Sequence, residues 1–277
     1  MNSVIKNIPN AITCGNLLCG CLAIIFCLNG NLILASTLIG IAAVLDFFDG
    51  FVARMLKVSS PIGKDLDSLA DMVTFGVVPG LIMYQLIKSS IGFVGNEHVV
   101  PLNHLEFYNY TSDAYHLYLP FVGLLIPVFS AIRLAKFNND TRQNESFIGL
   151  PTPANAIFIG SLVFLNHQNY IYHVYDNFQL SLSFKQIGSV TDSGTFFSNW
   201  LFHPGILIVI TVLFSFLLVA ELPLFSLKFK HFKWTGNEVR FIFLVSSFIL
   251  ILFFTYAGIS LVIILYILLS FIYSYFK

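Results

Sequence analysis

Residues 45–71 read LDFFDGFVARMLKVSSPIGKDLDSLAD. Five of the chain's 14 acids (Asp46, Asp49, Asp65, Asp67 and Asp71) fall within these 26 residues from Asp46 to Asp71, and apolar sequence flanks them on both sides. A charge at the centre of a membrane span costs about 2.5–3.5 kcal/mol, so acids in such a setting call for a function or a partner. Their spacing is ordered. Asp46 and Asp49 stand at i, i+3, and Asp67 and Asp71 at i, i+4, so each pair shares one face of a helix. A short loop around Val58–Pro61 joins the two helices as antiparallel neighbours, and the pairs can then meet at one depth.

The whole chain supports the membrane setting. Of its 277 residues 57% are hydrophobic and only 10% charged, with a mean hydropathy of +0.82. A soluble domain sits nearer roughly 45–50% apolar and about 25% charged. This composition excludes a disordered chain, a disulfide scaffold and a nucleic-acid binder with a basic face. Cys14, Cys19, Cys21 and Cys27 all lie in the first apolar run and match no zinc spacing. They read as small hydrophobes in a helix. One lysine, a long apolar run and no small-residue cleavage site argue against a removable leader.

Spans of about 20 apolar residues are expected over Ala11–Leu28, Leu32–Leu56, Pro61–Ile87, His116–Phe137, Pro151–Leu165 and Pro204–Leu227. Polar loops separate them at Lys88–Tyr115, Asn138–Leu150 and Asn166–His203. The stretch Phe241–Phe276 carries no charge over 36 residues. One helix of that length would run about 54 Å against a hydrocarbon core of roughly 30 Å, so two spans broken near Gly258 are expected. The fold class is therefore all-α, a polytopic membrane bundle of about eight helices in a single integral membrane domain. With the N-terminus cytoplasmic, 12 of the 14 bases fall on the cytoplasmic side and only Lys88 and Lys185 outside. This split follows the positive-inside rule and puts both termini and the acids on the cytoplasmic side.

Four crowded carboxylates repel one another and take up protons unless something cancels their charge. Helix capping, or pairing with Arg54, Lys57 and Lys64, is the plainest alternative, but it does not call for two facing pairs. Hard divalent cations favour carboxylate oxygens, and two metals a few ångströms apart can clamp a displacement at phosphorus. Gly50 and Ala53 are small and lie on the face of Asp46 and Asp49, leaving room for a bulky ligand. The residues thus predict a cytoplasm-facing two-metal site for a phosphate-containing ligand.

The run Asp46-x2-Asp49-Gly50-x2-Ala53-Arg54-x8-Gly63-x3-Asp67-x3-Asp71 resembles the signature of the CDP-alcohol phosphatidyltransferase family at all eight fixed positions. Four further segments resemble one branch of it, the bacterial phosphatidylserine synthases: Ile8–Gly20, Lys57–Lys64, Arg133–Asn138 and Ser146–Asn155. The likeness is strong over residues 8–165 and elsewhere rests on hydrophobicity alone.

The resemblance implies transfer of a phosphatidyl group from CDP-diacylglycerol to L-serine, releasing CMP, in a bacterial cytoplasmic membrane. It implies a six-helix catalytic core over 1–227, a C-terminal helical hairpin over 228–277, and a homodimer. Asp46, Asp49, Asp67 and Asp71 would hold two divalent ions, Mg²⁺ or Mn²⁺, with Asp71 also the general base. Gly50, Ala53, Arg54 and Gly63 would receive the nucleotide, joined by Pro9, Asn10 and Thr13. The acceptor's carboxylate needs a cationic or N–H partner, for which Arg133 and Arg142 are candidates. Asn16 and Asn155 are either glue between helices or acceptor ligands, and Phe147–Pro153 would shape the acceptor pocket. Two other readings stay open: the same family with a different alcohol, and a cation transporter using the acids as an ion path.

Overall fold

The computed structural model describes residues 7–58, 60–95, 118–139, 147–181, 200–225, 234 and 237–275. The described residues form seven helices: α1 (Ile8–Leu28), α2 (Leu32–Leu56), α3 (Pro61–Gly95), α4 (Leu119–Asn139), α5 (Thr152–Ser181), α6 (Pro204–Val219) and α7 (Glu238–Tyr275). Five of them, α1 to α4 and α7, contain stretches long and apolar enough to cross a membrane, as expected of a multi-pass membrane protein. Two short strands, β1 (Phe147–Ile148) and β2 (Pro223–Leu224), pair antiparallel.

Local chemistry sets the helix ends near the acids. Gly30 turns α1 into α2 at φ 78°, and Asn31 caps α2 by accepting a hydrogen bond from the Leu34 N–H at 3.1 Å. At the other end Lys57 adopts the left-handed conformation, and the Val58 N–H reaches back to the Ala53 carbonyl at 3.0 Å. This closure satisfies carbonyls that the helix end would leave bare. Three residues after Lys57, Ser60 caps α3 through the Gly63 N–H at 2.9 Å, with Pro61 in the first helical position. Asp46 then stands ten residues before the end of α2, and Asp71 ten residues after the start of α3. The turn therefore delivers both to the same depth, about 15 Å in.

Helix α1 packs along both α2 and α3, whereas α2 and α3 meet only sparsely. Helix α3 widens into a π turn over Met72–Val77, directly after Asp71 and just ahead of Pro79. Proline offers no N–H to the carbonyl four residues back, and the wider turn re-routes the bonds there. Helix α4 begins as a 3₁₀ turn over Leu119–Leu124, shortly before Pro127.

Helices α3 and α4 run antiparallel with their backbones in contact. A Cβ at Gly123 would lie 2.6 Å from the Tyr84 nitrogen and 2.8 Å from the Gly80 carbonyl oxygen. Neither atom can move without bending α3. We expect Gly123→Ala to cost about 1–3 kcal/mol through overpacking, seen as a lower unfolding midpoint in detergent. An unchanged midpoint would show that the crossing is loose.

Several expected boundaries move. Helix α3 continues to Gly95 and α5 to Ser181, past the expected ends at Ile87 and Leu165. The residues 166–181 are polar and aromatic but contain neither Gly nor Pro. Polarity removes a segment from lipid without stopping a helix. Helix α6 ends at Val219 rather than Leu227, because Pro223 cannot extend it and disfavours helix at Leu222. The chain forms β2 instead. Helix α7 breaks at Thr255 (φ 48°), three residues before the expected Gly258. Its arms, 238–254 and 256–275, fold back on each other, with the rings of Phe243 and Tyr266 5.6 Å apart. Gly258 supplies the close approach, not the turn: a Cβ there would lie 2.7 Å from the Ile251 Cα.

Candidate active site

The two acidic pairs do converge. Asp46, Asp49 and Asp67 bring one carboxylate oxygen each to within 4.8 Å of one another. Asp71 falls outside that trio but is an electrostatic neighbour of all three acids. Arg133 is its oppositely charged neighbour. Among the described residues no ion pair joins the acids to Arg54, Lys57 or Lys64. Arg54 turns away, its Nε donating to the Gly50 carbonyl of its own helix at 3.0 Å. The Lys64 ammonium reaches the Asn138 carbonyl on α4 at 3.0 Å. The acids are therefore not explained by local base pairing. Three converging carboxylates, one buried and two half-buried, are a donor set that suits a hard divalent cation.

The first helix supplies polar contacts to this centre. Thr13 is buried, its hydroxyl oxygen 2.7 Å from Asp49 Oδ2 and 3.0 Å from the Pro9 carbonyl. With one proton to give, the shorter bond to the carboxylate is the stronger. Asn16 is fully buried, and its Nδ2 stands 3.5 Å from Asp71 Oδ1. Asn10 faces Gly63, where a Cβ would lie 3.0 Å from the Asn10 Oδ1. Gly50 is exposed and opens onto free space, with nothing within 4 Å of an added Cβ. Ala53 is half-buried one turn on.

Arg133 on α4 is drawn up to Asp71. The α3–α4 register sets this up: a Cβ on Gly76 would lie 3.2 Å from the Ser130 Cβ, and Asn138 Nδ2 donates to Ser68 Oγ at 2.8 Å. Between those two contacts, Arg133 comes level with Asp71. Arg133 is only 8% exposed, its guanidinium carbon 5.7 Å from the Phe137 ring centre. Its Nε has no hydrogen-bond partner among the described residues. The hydroxyls of Ser130, Thr152 and Ser215 and both amide atoms of Asn155 are likewise buried without partners among the described residues. The segment before α5 is strapped to the end of α6: Gly149 N–H donates to Leu222 and Leu150 N–H to Leu217, each at 3.0 Å. Gly149 has φ +78°, and a Cβ there would lie 2.7 Å from the Leu218 carbonyl oxygen.

Arg142 lies outside the described residues, so the structure does not place it. Ser130 and the Lys64–Asn138–Ser68 clamp are absent from the sequence-based site, whereas Thr152 lies within its Phe147–Pro153 segment. A hydroxyl three residues before an intramembrane arginine was the one available signal for Ser130.

The sequence profile of the CDP-alcohol phosphatidyltransferases matches residues 6–183. The chain belongs to this family. Among similar proteins is the CDP-diacylglycerol–serine O-phosphatidyltransferase of Bacillus subtilis, 37% identical over 150 residues, covering 53% of this chain and 69% of that protein. The enzyme of the same name from Helicobacter pylori strain J99 is 32% identical over 162 residues, 58% of each chain. An archaetidylserine synthase of Methanothermobacter thermautotrophicus is 29% identical over 157 residues, 56% of each. The match thus spans a little over half the length of the Helicobacter protein.

Proposed function

We propose that the protein transfers the phosphatidyl group of CDP-diacylglycerol to L-serine, giving phosphatidylserine and CMP. The observation that carries this reading is the convergence of Asp46, Asp49 and Asp67 with Asp71 alongside. The names of the similar enzymes support serine as the acceptor.

Asp46, Asp49 and Asp67, with Asp71 as a fourth ligand, would hold two Mg²⁺ or Mn²⁺ ions. Bound there, such ions would neutralise the pyrophosphate and the charge that develops on the departing CMP phosphate. Gly50 and Ala53 would let the nucleotide lie close to α2, with Gly63, Pro9, Asn10 and Thr13 lining its other side. Arg54, exposed near the end of α2, would swing from the Gly50 carbonyl of its own helix to a phosphate. Asp71 takes the proton of the serine hydroxyl as that oxygen bonds to the lipid-side phosphorus. The phosphorus–oxygen bond to CMP breaks in the same displacement.

The buried polar atoms of Arg133, Thr152 and Asn155 favour a small acceptor of mixed polarity. The Arg133 guanidinium suits a carboxylate, and Asn155 and Thr152 suit an ammonium or hydroxyl. A phosphorylated alcohol would call for a group of bases, and Arg133 is the one buried base among the described residues. The site faces the cytoplasm in this reading, and the protein works as a homodimer.

The test is CMP release from CDP-diacylglycerol by purified protein with single alcohols added. Serine should raise the rate at least tenfold over no acceptor, whereas glycerol phosphate and inositol phosphate should not. A preference for either phosphate would replace serine in this reading. Cation flux without CMP release would favour a transporter.

A further inference from the structure

We propose that Asn16 is a positioning residue for Asp71, reaching across from α1 to hold the carboxyl in the orientation from which it takes the acceptor's proton. The inference rests on the proton-accepting role given to Asp71 above.

Thr13 and Asn16 stand at i, i+3 on α1 and so share one face. Each sends its side chain to an acid on a different helix: Thr13 Oγ1 to Asp49 on α2 at 2.7 Å, and Asn16 Nδ2 to Asp71 on α3 at 3.5 Å. Since α2 and α3 touch so little, α1 is the element that ties the two halves of the acidic centre together. The 3.5 Å separation is long for a hydrogen bond. Contacts to catalytic groups are often long without substrate and tighten in the complex.

Packing alone gives a poor account of Asn16. The α1–α3 contact is made by other atoms. The Thr74 hydroxyl donates to the main-chain oxygen of Asn16 at 3.2 Å, and Gly20 sits flush against Thr74, its Cβ position 3.1 Å from the Thr74 Cα. Thr74 lies in the π turn three residues after Asp71, so this lock fixes the distance from α1 to the acid. It survives any change of the Asn16 side chain. The amide, by contrast, is fully buried and half unsatisfied: its Oδ1 has no partner among the described residues. An unmet polar atom in a buried place is expensive, and an apolar residue would serve better there if packing were the only need. The amide group is retained for what its nitrogen reaches. Turning the amide over would set its oxygen against the Asp71 carboxylate, so the N–H₂ end faces the acid.

The experiment compares Asn16→Leu, of similar volume but without a donor, and Asn16→Ser with the wild-type chain. The measurements are steady-state CMP release, titration of CDP-diacylglycerol in the presence of Mn²⁺, and the unfolding midpoint. Asn16→Leu should lower kcat about 10- to 100-fold, the range typical of partners that orient a ligating side chain. The KM and the affinity for CDP-diacylglycerol should stay within about twofold, and the unfolding midpoint should not fall. Asn16→Ser, which keeps a donor, should recover part of kcat. Wild-type kcat in Asn16→Leu overturns the proposal. Equal losses of kcat, nucleotide affinity and unfolding midpoint in both variants also overturn it, because they mark a packing role. If instead Asp71→Asn turns over normally, the base assignment itself fails, and that result is read independently of Asn16.

Discussion

Asp71→Asn should abolish transfer while leaving the protein folded and able to bind CDP-diacylglycerol. Asparagine has the shape of aspartate but cannot take a proton. The expected loss of kcat is on the order of 10²–10⁴-fold, the usual contribution of a positioned general base. Binding should survive because the three carboxylates whose oxygens converge are those of Asp46, Asp49 and Asp67. Asp67→Asn should behave differently, raising the metal concentration needed for half-maximal activity. The two variants thus separate proton transfer from metal holding within one acidic centre. CMP release and Mn²⁺-dependent nucleotide binding, measured on the same preparations, check the contrast. Near-normal turnover of Asp71→Asn would remove Asp71 as the base. Equal loss of binding in both variants would make it a metal ligand and nothing more.

The acidic centre was legible because helical spacing and turn length are both local. Asp46 with Asp49 and Asp67 with Asp71 share faces by periodicity, and Ser60-Pro61 announces where α3 begins. From these the common depth of the acids follows with no knowledge of the remaining helices. Long-range partners were harder to read. Nothing in the sequence says that Arg54 bonds its own helix while Arg133, 62 positions from Asp71, comes level with it. That juxtaposition depends on the α3–α4 crossing, which Gly80 and Gly123 set by backbone contact. The boundaries that moved share one cause. Hydropathy marks what suits lipid, whereas helix ends are set by caps, glycine and proline. Helix α5 therefore runs on to Ser181 through polar sequence, and α6 stops well short of its apolar limit because of Pro223. Gly258 was read as a hinge, yet a glycine in an apolar helix equally serves where two backbones touch, and here the turn falls at Thr255.

Removing divalent ions should have an effect as large as losing Asp71, for a different reason. Two ionised carboxylates 4.8 Å apart repel by roughly 3–4 kcal/mol at an effective dielectric of about 20. The trio contains three such pairs, and no lysine or arginine forms an ion pair with it among the described residues. A chelated protein must therefore either protonate part of the trio or let α2 and α3 spread. Both outcomes disable the grip on pyrophosphate, so transfer should fall below about 1% of the Mg²⁺-supported rate, a loss of at least 2.7 kcal/mol in transition-state stabilisation. Adding back Mg²⁺ or Mn²⁺ should restore it. The same repulsion predicts a second signal that needs no substrate: either ion should raise the unfolding midpoint, because a ligand bound only by the folded state stabilises it by mass action. Asp49→Asn with Asp67→Asn should weaken that rise, since one carboxylate of the trio then remains. Full transfer in excess chelator, with no shift of the midpoint on adding either ion, would mean that the acids meet for some purpose other than holding metal.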